Sequence, residues 1–333
     1  MTSRVIPVPI ARQTGVALIV VLLVMVIAIS AVTHSIMRDQ VSISRSGALL
    51  ANTQLAEFVE AAEAWTRVSL LEDFEEDQDA NENVDHSLEP WAFPVLQFNP
   101  DNGKIRMNIK DLHSCFNVNN LSDSSNNDQF EIFQRLVNNT TGKSDLAKSI
   151  ADWVDDGDTP RTSGTEDDGY LGRELAHRTP DMMISDTSEL SSVVDMELED
   201  WQKLEPFICA LPETGTLVNI NTASEELIEA IEPSASVSKL VQLRESGGYI
   251  SDSSEYADYG IANSGPFTLQ SQHFLARIAV QLGDDGDYRQ YWESALVRNS
   301  TDGKVRVRQR QRRAFSGQMM QELLEYESTE ESE

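Results

Sequence analysis

Seven carboxylates fall in the seventeen residues from Asp152 to Asp168: Asp152, Asp155, Asp156, Asp158, Glu166, Asp167 and Asp168. That is more than twice the acidic density of the whole chain, where 55 of 333 residues are Asp or Glu. Gly157, Pro160 and Gly164 interrupt the run and make it a loop. Carboxylates on a pliable backbone suit calcium, a hard cation that takes about six to eight oxygen ligands. The loop is not an EF-hand, because counting from Asp156 the fifth position is Pro160 and the sixth, a glycine in that motif, is Arg161. A solvated acidic loop has the same composition, and spacing alone leaves both readings open.

Little else in the chain carries chemistry. His34, His86, His113, His177 and His273 fall in no metal-ligand spacing, and no phosphate loop, nucleophile elbow or cysteine-based catalytic motif is present, so no enzyme is expected. A net charge of −29, from 26 Lys plus Arg against 55 Asp plus Glu, argues against nucleic acid as a partner. Cys115 and Cys209 are the only cysteines. They exclude a disulfide framework and are compatible with one bond in an oxidising compartment.

The elements that must position the acidic loop begin at a membrane. Residues 1–15 carry Arg4 and Arg12 and no acid, and no Asp, Glu, Lys or Arg then occurs from 16 to 37. This matches the roughly 20 residues that cross a bilayer as a helix. An ordinary secretory signal would be cut near Ala28, Ser30 and Ala31. Helical character instead persists through Arg38-Asp39-Gln40 to Arg67, with Leu50, Leu55, Phe58, Ala62, Trp65 and Leu70 as the apolar stripe. Glu72 to Asp85 reads as a solvated loop, and Asn102-Gly103 as the turn between strands Leu96–Phe98 and Lys104–Ile109. Helical spacing follows at Asp128–Val137, Asp145–Val154, Thr187–Val194, Glu197–Phe207, Thr222–Ile231 and Ser236–Glu245, with Asp145 and Thr187 as expected N-caps. Strand alternation returns at Phe274–Gln281, Tyr291–Arg298 and Lys304–Arg312. The fold class is α+β: a long N-terminal helix packed on an antiparallel sheet, with a large inserted α-helical domain.

The span resembles the N-terminus of type IV pilins and pseudopilins, in which a prepilin peptidase cuts after a glycine and the apolar helix stays on the mature protein. Here that bond is Gly15–Val16. Pilins carry a Glu at the fifth mature position, whereas this chain has Val20. The same departure marks the type II secretion protein K family. Further likeness to that family lies in Phe116-Asn117-Val118-Asn119-Asn120-Leu121, in Asp152-Trp153 through Pro160-Arg161 to Gly164-Thr165-Glu166-Asp167-Asp168-Gly169-Tyr170, and in Asn219-Ile220-Asn221-Thr222-Ala223. Ser163, often Gly in the family, and Thr165, usually Ala, depart from it.

The resemblance implies a minor pseudopilin at the tip of the type II secretion pseudopilus, needed for its initiation or capping and for export of folded proteins. It implies calcium in the insertion, with Asp155, Asp158, Glu166 and Asp167 as the foremost ligands and Asp152, Asp156 and Asp168 behind them. It also implies a methylated mature N-terminus, and as partners the other minor pseudopilins, the prepilin peptidase and the inner membrane, with the C-terminal part in the periplasm. The expected organisation is a leader (1–15), membrane helix (16–37), remaining helix and first strands (38–111), inserted helical domain (112–211), second helical, SAM-like unit (212–270), C-terminal strands (271–320) and acidic tail (321–333).

Two features invite a nucleic-acid reading, as in a membrane-tethered DNA- or substrate-binding protein of the competence type. Asn219 to Ala223 resembles a helix-hairpin-helix module, but its hairpin, Glu232-Pro233-Ser234-Ala235-Ser236, has no glycine and carries an acid. Lys304, Arg306, Arg308, Arg310 and Arg312 alternate along a strand, placing the cations on one face and Val305 and Val307 on the other; this fits a protected edge strand better than a polyanion stripe. Mass spectrometry of the mature N-terminus is expected to find Val16 first. A start near Ala31 or Val32 would overturn the pilin-type reading.

Overall fold

The computed structural model describes residues 14–157, 159–283, 288–314, 317 and 320–326. The chain divides into two compact units, residues 1–56 and 57–333. Helix α1 is Thr14–Ala80, and its part in the first unit exposes every apolar side chain from Val16 to Ile29. A water-exposed stripe of that kind is stable in lipid, and α1 is the one helix among the described residues long and apolar enough to span a bilayer. Leu50, expected in the apolar stripe, is exposed.

In the second unit, α1 buries Val59, Ala62, Glu63, Thr66 and Leu70, the three-and-four spacing of one helix face. That face lies on a five-stranded antiparallel sheet of β1 (Leu96–Phe98), β2 (Gly103–Asp111), β7 (His273–Leu282), β8 (Tyr288–Arg298) and β9 (Val305–Arg313), in the order β1-β2-β7-β8-β9. The β1–β2 hairpin turns at Asn102, at φ 59°, and Gly103 is needed because a Cβ there would strike the Phe58 ring. Between β2 and β7 come β3 (Phe116–Asn117), α2 (Asn127–Thr141), α3 (Leu146–Val154), α4 (Asp167–Leu171), α5 (Leu198–Leu204), β4 (Ile208–Cys209), β5 (Val218–Asn219), α6 (Glu225–Ile231), α7 (Val237–Glu245) and β6 (Phe267–Thr268). One apolar core runs through this insertion from Phe116 to Phe267, so the two expected helical segments share it.

The N-caps differ in detail from expectation. Asp145 precedes α3 but makes no side-chain cap bond and pairs with Lys148 instead. The stretch after Asp186 is a 3-10 turn, Thr187–Ser192, capped by Asp186 and Glu189 rather than by Thr187. Ser224 caps α6 by accepting from the Leu227 amide.

Two sequence expectations are corrected. Glu72 to Asp85 is not a solvated loop: α1 continues to Ala80, and the Arg298 guanidinium, buried at the end of β8, draws in Asp73 (2.9 Å) and Asp85 (2.5 Å). The cations of β9 do not share a face. A bulge at Arg308 shifts the register, so Val305 and Val307 lie on the same face as Arg310 and Arg312, while Arg306 and Arg313 lie on the other. Arg310 meets the buried Glu63 of α1, and Arg313 meets Asp186 and Glu293.

Arg298 sits in an excess of acid. Burial, then Asp73, Asp85 and Asp77, pushes Glu89 up to about 10, so at neutral pH it is protonated, hydrogen-bonded to Asp73 and approached by the Trp91 indole N–H. Burial raises Asp85 to about 7 against the pull of Arg298, and burial with Asp73 raises Asp77 to about 6. These folded-state values exceed the ordinary carboxylate value of 3.8, so the folded chain holds the extra protons between pH 4 and 7. Stability is therefore expected to fall as pH rises through that window, read by urea titration at fixed salt. Arg298→Met should cost about 3–5 kcal/mol at pH 7.5 and visibly less at pH 5, and an equal loss at both would refute this account.

Candidate metal centre

Three groups from the acidic run converge. Asp152, wholly buried on α3, and Asp155, at its C-terminal end, both accept from the Arg161 guanidinium, Asp152 at 2.8 Å. Asp152 also accepts from the Arg161 amide at 3.1 Å, and Asp155 from the Gly157 amide at 3.0 Å. Arg161 is stacked over the Phe130 ring, 5.1 Å from its centroid, which fixes the cation in place. Gly164 lets the backbone pass so close to Asp152 that a Cβ would collide with the carboxylate. Ser163 beside it stands at φ 71°, in the left-handed region that favours glycine.

Glu166, buried just before α4, completes the group, and it is the strained member. Its Oε1 has no hydrogen-bond partner, and burial, then Asp152, Asp155 and Asp181, pushes its pKa up to about 7. Of six buried side-chain polar atoms without a partner among the described residues, four lie here: Trp153 Nε1, Glu166 Oε1, His177 Nε2 and Asp181 Oδ1. Two carboxylates on the Arg161 guanidinium, with Glu166 and Asp181 close enough to raise the local negative charge and each holding an orphaned oxygen, fit a hard divalent cation.

The other sequence candidates stand differently. Asp167 has both oxygens committed, to Arg178 at 2.7 Å and to the amide and hydroxyl of Thr179 at 3.1 Å, so it anchors the return strand of the loop. Asp156 and Asp168 are exposed, and Asp158 lies outside the described residues. Asp181 escaped sequence reasoning because it stands apart from the acidic run; its following a proline, Thr179-Pro180-Asp181, and its φ of 47° mark a turn but no ligand. A tighter acid group, Asp73, Asp85 and Glu89, has its ligand atoms within 4.8 Å of one another. Arg298 and the proton on Glu89 already satisfy that group, whereas the Glu166 group has oxygens to spare.

Around this centre the motif asparagines hold loops together. Asn119 donates to the Ile184 and Leu211 carbonyls and accepts from the Ile184 amide; Asn117 accepts from Leu211 and Asn120 from Thr216. Cys115 and Cys209 form a disulfide, their Cα atoms 5.8 Å apart, beside the parallel β3–β4 pair. In the α6–α7 hairpin Glu232 accepts from the Ser234 hydroxyl (2.5 Å) and the Asn263 amide (3.2 Å), filling the place an anion would need.

The match to known proteins is extensive. Residues 114–213 match the family model described as "Type II secretion system (T2SS), protein K". A type II secretion system protein K of Pseudomonas aeruginosa is 31% identical over 311 residues, covering 89% of this chain and 91% of that one. The protein K of Pectobacterium carotovorum is 29% identical over 334 residues, covering 90% and 97%. Among solved structures, a chain of the GspK-GspI-GspJ complex from the enterotoxigenic Escherichia coli type 2 secretion system superposes with a TM-score of 0.67 at 21% identity, over 81% of this chain and 100% of that one.

Calcium titration is expected to raise the melting temperature by about 5–10 °C at saturating ion. The rise should shrink from pH 7.5 to pH 5.5, because below about 7 Glu166 holds a proton that the ion must displace. Glu166→Gln with Asp181→Asn should remove the response; a response that survives the double variant would place the ion elsewhere.

Proposed function

This chain belongs to the type II secretion system protein K family, and from that premise we propose that it is a minor pseudopilin that terminates the periplasmic pseudopilus and takes part in its initiation. The observation that carries this reading is the pairing of an N-terminal apolar helix lacking an acid at Val20 with a bulky insertion joined to the sheet at one end, between Asp111 and His273. A carboxylate in lipid is tolerated only with a partner, and a pilin helix with one engages the N-terminus of its neighbour. A helix without it lacks that handle, and an insertion larger than the sheet leaves no room for a like subunit at the same end.

The partners on this reading are the other minor pseudopilins, as GspI and GspJ accompany GspK in the solved complex. The prepilin peptidase would cut after Gly15, freeing Val16 for methylation, and the helix would remain in the inner membrane with residues beyond it in the periplasm. Calcium bound by Asp152, Asp155, Glu166 and Asp181 would have a structural role, supplying the positive charge that Arg161 alone does not. The described residues offer no set of groups for covalent catalysis. The DNA-binding alternative finds no support, since Glu232 occupies the hairpin and the net charge is −29.

Full-length chain coexpressed with its sister minor pseudopilins is expected to copurify with them in detergent, and its deletion to abolish export of folded cargo. A chain that joins no sister subunit, and whose loss leaves export intact, would overturn the role.

A further inference from the structure

The two edges of the sheet are treated differently. β1 is three residues long, and Arg106 ties down its end by donating to the Phe98 carbonyl (3.1 Å) and the Asn99 side chain (3.0 Å). β9 is nine residues long and, among the described residues, pairs only with β8, which leaves the backbone groups on its outer side without a strand partner there. Six cations of this strongly acidic chain fall in residues 304–313. Lys304 is paired with Asp302 (2.8 Å), Arg310 with Glu63, and Arg313 with Glu293 (2.8 Å) and Asp186. Arg306, Arg308 and Arg312 are exposed and have neither a hydrogen bond nor an ion pair among the described residues. Arg306 and Arg312 point to opposite faces of the sheet, and Arg308 stands at the bulge between them.

We propose that β9 is a docking edge that accepts an extended acidic segment of a sister subunit as an added strand, with Arg306, Arg308 and Arg312 gripping its carboxylates. The inference rests on the assembly reading above and names the surface and the chemistry of the contact. Edge protection commonly uses lysine. Here the free cations are all arginines, whose planar fork matches a carboxylate with two hydrogen bonds. The acids among the described residues leave these three unpaired. Pairing of β9 with the β9 of a second copy is excluded, because it would set cation against cation across the new pair. Strand addition supplies the main-chain hydrogen bonds, and the arginines supply the selection for an acidic sequence. Since free arginines stand on both faces, the segment should carry acids at successive as well as alternate positions.

The test uses the full chain in detergent, with each full-length sister minor pseudopilin as the probe. Charge reversal, Arg306→Glu with Arg308→Glu and Arg312→Glu, should weaken binding at least ~10-fold, whereas the three lysine replacements should retain most of it. Raising salt should weaken the wild type and spare the reversal variant. Should the triple variant fold poorly, Arg308→Glu alone at the bulge reads the same contact. A photocrosslinker at position 308 should label an acidic stretch of the sister subunit. Unchanged affinity on reversal would overturn the docking edge and leave the assembly reading standing, while a wild-type chain that binds no sister subunit would overturn both. Binding through these arginines to phosphatidylglycerol vesicles or duplex DNA, with no effect on the sister subunits, would also overturn the proposal.

Discussion

The arrangement of the second unit depends on one buried guanidinium. Arg298 donates to Asp73 on α1, to Asp85 beyond it and to the Ser271 carbonyl just before β7. Ser271 donates to both Asp85 (2.6 Å) and Asp111 (2.7 Å), and Asp111 receives Asn219 (3.1 Å) and Thr222 (2.5 Å) from the insertion. Helix, sheet and insertion are thus joined at the place where the chain leaves β2 and returns to β7. A buried ion pair is weak evidence for stability, but removing one partner leaves charges stranded. The network fixes position more than it adds energy, and it holds a domain of more than a hundred residues at one end of a small sheet.

The same logic explains motifs that look like sites. Asn219 and Asn221 belong to a segment resembling a nucleic-acid-binding module, yet Asn219 donates to the Asp85 carbonyl, and Asn221 is bonded to both the amide and carbonyl of Ile250. Asn117, Asn119 and Asn120 likewise complete the hydrogen bonding of the irregular segments around Ile184 and from Leu211 to Thr216. A carboxamide both donates and accepts, so it can stand in for a backbone partner where an irregular loop is buried. Asparagine-rich signatures of this kind report folding constraints before they report ligands.

Periodicity made the regular parts legible. The helices of the insertion and the three C-terminal strands lie within a few residues of where apolar spacing puts them, and Asn102 turns the first hairpin as its side chain predisposes it to. What pattern could not reveal was long-range charge pairing. Glu72 to Asp85 looks solvated until a residue more than two hundred positions later brings a cation to it, and alternation along β9 survives only as far as the bulge at Arg308. The acidic loop was visible as composition. Asp152, Asp155 and Glu166 were among the ligands the resemblance implied, but Asp181 was not, because it arrives from a separate turn.

Two buried clusters in this protein face the same problem, too many carboxylates for the cations at hand, and their geometries answer it differently. Around Arg298 the surplus charge is removed by a proton: Glu89 is raised to about 10 and hydrogen-bonded to Asp73, so the group is closed. Around Arg161 the comparable acid, Glu166, is raised only to about 7, so at neutral pH a proton is half lost, and its oxygen has no protein partner. A site left unsatisfied by both proton and guanidinium is the one at which a divalent cation is proposed. That difference separates the two clusters more sharply than the count of carboxylates in either.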